Sequence, residues 1–492
     1  MKSRNLAYKV LFDIEKNQNY SNMAINKHFK DCNLDNRDRG FATEIIYGVV
    51  ENKIYLDYII DKLSKIKSNK LNLKVKILLR MGIYQILFLD SVSDYAAVNE
   101  TVNLTKKLDN RSAGFVNAVL RNVIRQKEDI GEVKIKDTVD NLATKYSYNK
   151  WIVRNWISNF GREFTEDLLE ANTERPSIYL RVNTLKTTRD ELIKLLEEQE
   201  VNCEKVPFMD EAIKVNNLKN IENNELYKKG LFTVQDISSM LVGKILNPQK
   251  DTKVLDVCSA PGGKTTHIAT LMENSGQVVS RDIFEHKIKL IQNSVNRLGL
   301  KNIDVQLFDA LNLDKDSIDK FDSVLADVPC SGLGIIKRKP EIKYKEKEEI
   351  KDLPKLQKQI LQNAAKYVKV GGTLIYSTCT IQDDENIEVV ESFLQSNKRF
   401  QLEKIENINI DLDNDVIALW HDESQLNRYI IGKEYKLLDP GYIYPEGWDL
   451  PFKAKIIGRD KSKWGGHQDL RGIKEPTFIE KLKGKITTIF SK

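Results

Sequence analysis

Val254-Leu255-Asp256-Val257, followed by Cys258-Ser259-Ala260-Pro261-Gly262-Gly263-Lys264-Thr265, reads as a short apolar strand, a Gly-rich loop and the start of a helix. Two glycines let a backbone approach a ligand closely, and a helix N-terminus offers free N–H groups. The loop has neither the G-x-x-x-x-G-K-[ST] spacing of a phosphate loop nor G-x-G-x-x-G. Asp282 stands roughly 20 residues beyond the glycines, the separation at which an acid meets ribose hydroxyls. A nucleoside cofactor therefore suits the loop better than a bare phosphate, and Asp282 weighs against a turn that merely connects.

The same alternation continues downstream. Val278-Val279-Ser280 is a second strand with Asp282 close behind, and Val305-Gln306-Leu307-Phe308 a third ending at Asp309. Ser323-Val324-Leu325-Ala326 is a fourth ending at Asp327, and Thr373-Leu374-Ile375-Tyr376 a fifth. Strands alternating with helices predict an α/β, Rossmann-like domain with a mainly parallel sheet. Ligands of such sheets bind at the carboxyl ends of the strands, where Asp282, Asp309, Asp327 and Cys379 all fall. Cys330 and Cys379 each follow a strand. A single cysteine there reads most simply as buried and inert. Two of them beside Asp327 favour chemistry. Cytosine C5 is a poor nucleophile, but a thiolate added at C6 makes it enamine-like, able to attack a methyl sulfonium. That reaction needs a nucleophile, an acid holding the base edge and a group assisting elimination.

Upstream, Ser177 to Asn183 predicts a strand, and Thr188 to Glu198 a helix opened by a Thr cap with Asp190 and Glu191 in its first turn. Residues 150–245 thus form a small α+β module, whose end, Gly230 to Leu246 with Val234-Gln235-Asp236, leads into the catalytic domain of residues 246–405. Residues 1–140 are helical. Ala7, Val10, Leu11 and Ile14 make an apolar stripe, Val75 to Leu89 suits a central buried helix, and Phe115 to Ile124 gives another stripe. These stripes are helix packing. Arg111, Arg121 and Arg125, in or beside the last of them, are the candidate RNA surface.

Bulk properties agree with a multidomain protein of this kind. A chain of 492 residues exceeds one core. No apolar run approaches the ~20 residues of a membrane helix, and the start is amphipathic rather than signal-like, which predicts a cytoplasmic protein. Five cysteines without a C-x-x-C pair oppose a zinc ribbon or a disulfide framework, and no metal site is expected. The net charge of +6 sits within residues 1–140, where 24 basic residues face 18 acidic ones. That excess points to a polyanion, although a solvated surface would carry it equally well.

Three sets of strings carry resemblances. Arg4-Asn5-Leu6-Ala7 with Val10-Leu11, then Arg37-Asp38-Arg39-Gly40-Phe41-Ala42, then Gly114-Phe115-Val116-Asn117-Ala118-Val119-Leu120-Arg121 together resemble the NusB-like all-helical RNA-binding domain. Leu255 to His267, Asp327-Val328-Pro329-Cys330-Ser331-Gly332 and Tyr376-Ser377-Thr378-Cys379-Thr380 resemble the Nol/Nop/Sun family of RNA cytosine-C5 methyltransferases. The three-domain order over residues 1–405 is similar to the bacterial RsmB type. That resemblance implies S-adenosylmethionine as cofactor. It implies small-subunit ribosomal RNA as substrate, met before full assembly, and a monomeric enzyme. By position it makes Cys379 the nucleophile, Cys330 the residue assisting release and Asp327 the holder of the cytosine edge. Cys258, Ser259, Ala260, Pro261, Gly262, Gly263, Lys264, Asp282, Asp309 and Asp327 would hold the cofactor, and Lys337 to Tyr344 would be a loop near the RNA.

The family's closing aromatic strand, of the sense D-G-F-F-I-A-K-L, finds no evident counterpart. An open sheet edge is expected from about residue 410. Asp411 to Tyr429, Leu437 to Tyr442 and Gly465 to Arg471 resemble instead the C-terminal part of ABO-type glycosyltransferases, with Trp420, His421, Asp422 and Glu423 implied as acceptor-site residues. The donor half with its D-x-D is missing, so residues 410–492 are expected to be inactive and poorly packed. Two alternatives remain: a non-catalytic NusB-like RNA-binding protein, and a glycosyltransferase acting through the C-terminal segment.

Overall fold

The computed structural model describes residues 2–402 and 452–456, apart from residues 18, 31 and 33; for residues 402 and 452–456 it gives the backbone. The described residues form two compact units, one of those up to Arg175 with Ile336–Lys347, the other of Pro176–Ile335 with those from Glu348 onward.

The first unit is built of helices. Ala7, Val10, Leu11 and Ile14 are buried on Lys2–Asn17, as their spacing predicts. Leu73–Phe88 is the central helix and is buried from Val75 to Ile86 except at Lys76. Its interior includes a charge: Arg80 donates to both oxygens of Asp57, at 2.7 and 2.6 Å, and to Glu15 at 3.2 Å. Two carboxylates offset the desolvation of one guanidinium. A Cβ on Gly48 would lie 1.8 Å from Cζ of Tyr84, so glycine is what allows Asn36–Glu51 to approach this helix.

The Lys337–Tyr344 run, expected as a loop near the RNA, is in part an interior element. It folds into the first unit, and two of its lysines are buried there. Tyr344 donates its hydroxyl to Val50 O at 2.5 Å and accepts from Lys53 N at 3.2 Å. Lys343 donates to Tyr146 O at 3.2 Å and Glu51 O at 3.3 Å, with its ammonium 4.8 Å from the centre of the Tyr148 ring. Lys337 lies 3.5 Å from Glu174. Burial pushes both ammonium groups down to about 8. Carbonyls and a carboxylate satisfy them internally, while Lys339 is exposed.

The second unit contains two sheets. The smaller is antiparallel, ordered β2-β3-β1-β4, from β1 (Ile178–Val182), β2 (Asn202–Lys205), β3 (Ala212–Asn216) and β4 (Phe232–Val234). Its helix Arg189–Glu197 starts at Thr188 with a full capping box closed by Glu191. The larger sheet comprises β5 (Lys253–Asp256), β6 (Gln277–Asp282), β7 (Ile303–Leu307), β8 (Phe321–Asp327), β9 (Val368–Ser377), β10 (Phe400–Leu402) and β11 (Phe452–Ile456). Its order is β10-β11-β9-β8-β5-β6-β7, parallel from β7 to β9. Along β5, β8 and β9, neighbouring residues enter opposite cores: Val254, Leu325 and Ile375 one, Leu255, Val324 and Leu374 the other. Both faces are covered, as a parallel sheet requires.

The expected open edge is not there. β11 lies antiparallel between β9 and β10, pairing Phe452 with Tyr376 and Phe400 with Ile456. The closing strand exists and comes late in the chain, inside the stretch read as glycosyltransferase-like. Trp420, His421, Asp422 and Glu423 lie outside the described residues. Among the described residues no helix is long and apolar enough to cross a membrane.

Candidate active site

The chain runs β5, β6, β7 to one side of the sheet and then returns to place β8 and β9 on the other. The strand order reverses beside β5, and a crevice opens at such a point at the carboxyl ends. The Gly-rich loop leaves β5 there and enters the Gly263–Leu271 helix. Gly262 has φ +99°, a conformation that disfavours any side chain, and a Cβ on it would press against Ile291 at 3.3 Å. Ser259 fixes the loop to β6, its backbone N and its hydroxyl both donating to Arg281 O at 2.9 Å.

Asp282, at the end of β6, is buried. Its oxygens accept from Ala260 N at 3.2 Å and Phe284 N at 3.1 Å. The sequence's pairing of loop and acid is therefore a direct contact. Ile283 and Phe284 beside it are half exposed and present an apolar surface. Asp309 is half-buried and accepts from Leu311 N at 2.9 Å within its own loop. Cys258 is kept a thiol, since burial first and then Asp256, Asp327 and Asp282 push it well up.

The register of β8 against β9 places Asp327 opposite Ser377. The loops that follow then meet. Cys330 and Cys379 lie with their sulfurs 3.0 Å apart, and the Cys379 N–H points to the Cys330 sulfur at 3.2 Å. Hydrogen bonding to Cys379, followed by burial, pushes the Cys330 thiol well up. Either thiol can be the donor in this contact. Asp327 accepts from Lys264 Nζ at 2.7 Å and Ser377 Oγ at 2.6 Å. Burial opposes the charge on Lys264, but the Asp327 carboxylate, joined by Cys379 and Asp256, outweighs it and raises the ammonium. Two thiols, a held carboxylate and a cation are together at the neighbouring ends of β8 and β9. This set can add sulfur to an electrophilic ring carbon and hold a polar ring edge.

Sequence reasoning missed the supports. Arg181 on β1 is buried and donates to Gly263 O at 2.7 Å, Thr266 Oγ1 at 2.9 Å and Gln235 Oε1. Burial pushes its guanidinium down to about 9. The small sheet thereby braces the first turn of the loop helix. Its only signal in the sequence is an arginine at an apolar position of a strand.

A model of 16S rRNA methyltransferases RsmB/F matches residues 243–427, one of the NusB family residues 1–125, and one of the ferredoxin-like domain of RsmF/B-like methyltransferases residues 148–222. A Glycosyltransferase family 6 model matches residues 394–464, a span that includes β10 and β11 of the large sheet. The chain is 39% identical over 403 residues to the "Probable ribosomal RNA small subunit methyltransferase B" of Bacillus subtilis strain 168, covering 81% of this chain and 89% of that protein. It is 32% identical to the ribosomal RNA small subunit methyltransferase B of Proteus mirabilis HI4320, over 74% of this chain and 85% of that one. Among solved structures, that of PH0851 aligns with a TM-score of 0.71 at 25% identity, covering 92% of this chain and 97% of the other.

Proposed function

The chain belongs to the RsmB/F-type rRNA methyltransferases, which use S-adenosylmethionine, and we propose that it methylates C5 of a cytosine through a covalent adduct on Cys379. The observation that carries this reading is the 3.0 Å contact between Cys330 and Cys379 beside Asp327.

The 258–264 loop with Asp282 fits a nucleoside cofactor. Each Asp282 oxygen has one backbone N–H and keeps a second lone pair for a ribose hydroxyl. When bound, S-adenosylmethionine supplies a methyl group activated by a sulfonium. Cys379 would add as a thiolate to C6, sending the C5–C6 π electrons to C5, and C5 would take the methyl as the S–CH3 bond breaks, its electron pair staying on the cofactor sulfur, which leaves as S-adenosylhomocysteine. Asp327, oriented by Lys264 and Ser377, accepts from the amino edge of the cytosine. For release, the C5 proton passes to solvent water, its electron pair restores the C5–C6 double bond, and the C6–S bond breaks. Cys330 donates its thiol hydrogen bond to the departing Cys379 sulfur. Tritiated methyl transfer to unmodified 16S rRNA tests the activity; no transfer would reject the reading.

Asp282→Ala is expected to weaken binding of S-adenosylhomocysteine by about tenfold to a hundredfold, the loss of a buried charge-assisted hydrogen bond, with RNA affinity unchanged. Titration calorimetry measures it, and an unchanged affinity would move the ribose contact elsewhere.

In this reading, residues 1–140 and 150–245 serve RNA binding and residues 246–405, closed by β11, the chemistry. The enzyme acts as a cytoplasmic monomer on small-subunit rRNA before the subunit is complete. Arg111, Arg121 and Arg125 are exposed and supply phosphate contacts. Replacing all three by glutamine should lower the slope of log affinity against log salt by roughly 0.7 per lost contact with single-stranded RNA. Filter binding across a salt series reads it, and an unchanged slope places the contacts elsewhere. The glycosyltransferase-like segment of residues 410–475 lacks a donor half with its D-x-D, and no sugar transfer is proposed for it.

A further inference from the structure

We infer that Glu385 is a positioning residue of the release step, holding the loop that carries Cys330 against Cys379. The inference rests on the reading of Cys330 given above. Glu385 ends the short turn Asp383–Glu385 that follows β9, and only 1% of it is exposed. Its Oε2 accepts from Ser331 N at 2.8 Å and from Gln357 Nε2 at 2.9 Å. The same Gln357 nitrogen donates to Pro329 O at 3.0 Å. The residues on both sides of Cys330 are therefore tied to one buried pair.

The anchor is itself fixed. Tyr376 on β9 donates its hydroxyl to Glu385 O at 2.6 Å. A second tie, Ser331 Oγ to Thr380 Oγ1 at 2.6 Å, joins the two cysteine loops directly. Beyond Ser331 the chain turns through Gly332 at φ +76°, so the loop has no regular ladder to define its path. Buried polar groups in contact with one another are costly to leave half-satisfied. This network is spent on the backbone around a sulfur that must stay within 3.0 Å of another. The Glu385 charge also helps keep Cys330 protonated, after the Cys379 hydrogen bond, burial and the charge of Cys379. Glu385 and Gln357 hold the backbone on both sides of Cys330, whereas Cys379 follows β9 directly and meets the network through the neighbouring Thr380 and the Cys330 sulfur. A loosened Cys330 loop should therefore slow elimination far more than addition.

The test is single-turnover reaction with S-adenosylmethionine and unmodified 16S rRNA. It is quenched in denaturant and resolved into covalent protein–RNA adduct and free methylated RNA. Glu385→Ala should form adduct at close to the native rate and release product about tenfold to a hundredfold more slowly, so that adduct accumulates. Glu385→Gln keeps an oxygen for Ser331 and Gln357 and should release within about threefold of the native rate. If Glu385→Ala does not fold, Gln357→Met reads the same tie with the same expected accumulation. Cys330→Ala is the control. If it accumulates adduct while Glu385→Ala or Gln357→Met releases at the native rate, the positioning role is overturned. The same holds if the variants lose addition and release in equal measure, since that is general loosening. If Cys330→Ala itself gives no adduct, the reading of Cys330 fails and takes this inference with it.

Discussion

Cys379→Ala is expected to abolish methyl transfer, by roughly a factor of 10⁴ or more, while Cys330→Ala still transfers the methyl and stalls as a covalent protein–RNA adduct. The asymmetry follows from position and protonation. The two sulfurs are 3.0 Å apart, and hydrogen bonding to Cys379, then burial, pushes the Cys330 thiol well up. In the proposed reading Cys379 is the sulfur that bonds to C6 and Cys330 the one that assists its departure. Without Cys379 no bond to C6 can form, and C5 stays too poor a nucleophile to take the methyl. Without Cys330 the bond forms, but the leaving sulfur has lost its hydrogen-bond donor. Denaturing gels with labelled RNA separate the two. Adduct in Cys379→Ala, or its absence in Cys330→Ala, would reverse or reject the assignment.

Asp327→Asn is expected to lower kcat by about 10²- to 10⁴-fold with little change in affinity for S-adenosylhomocysteine. The carboxylate now has Lys264 on one oxygen and Ser377 on the other, at 2.7 and 2.6 Å. An amide of the same shape has one oxygen and one NH₂ group. Either Lys264 or Ser377 would then face a donor, and the charge that raises Lys264 is gone. Asn also changes what is offered to the cytosine amino edge, from acceptors only to a mixture. Single-turnover rates and calorimetry on the variant separate chemistry from binding. A native rate would remove Asp327 from the reaction, and a parallel loss of cofactor affinity would make it a support of the loop.

Much of this was legible in the sequence because it is written locally. The apolar runs at Val254, Val278, Ser323 and Thr373 are short and bounded, and each became a strand. Thr188 with Glu191 is a complete capping signal within four residues. Gly262 announces a backbone that few other residues adopt. The non-local features were not legible. Nothing near Asp327 says that it pairs with Ser377, and that register is what brings Cys330 to Cys379. Phe452-Lys453-Ala454-Lys455-Ile456 has the alternation of a strand, but over only five residues, following Pro451 and some fifty residues after β10. Its place beside β9 is decided by pairing, not by its own pattern. Lys337, Lys343, Arg181, Gln357 and Glu385 are residues that usually face water. Each is buried because a specific partner lies opposite, and a single sequence carries no mark of that partner.

Nucleoside mass spectrometry of unmodified 16S rRNA after incubation with the enzyme and isotopically labelled S-adenosylmethionine tests the central claim most directly. The account predicts that the label appears in 5-methylcytidine, and that none appears with Cys379→Ala. Label on a base nitrogen or a ribose oxygen, or 5-methylcytidine formed undiminished by Cys379→Ala, would contradict it.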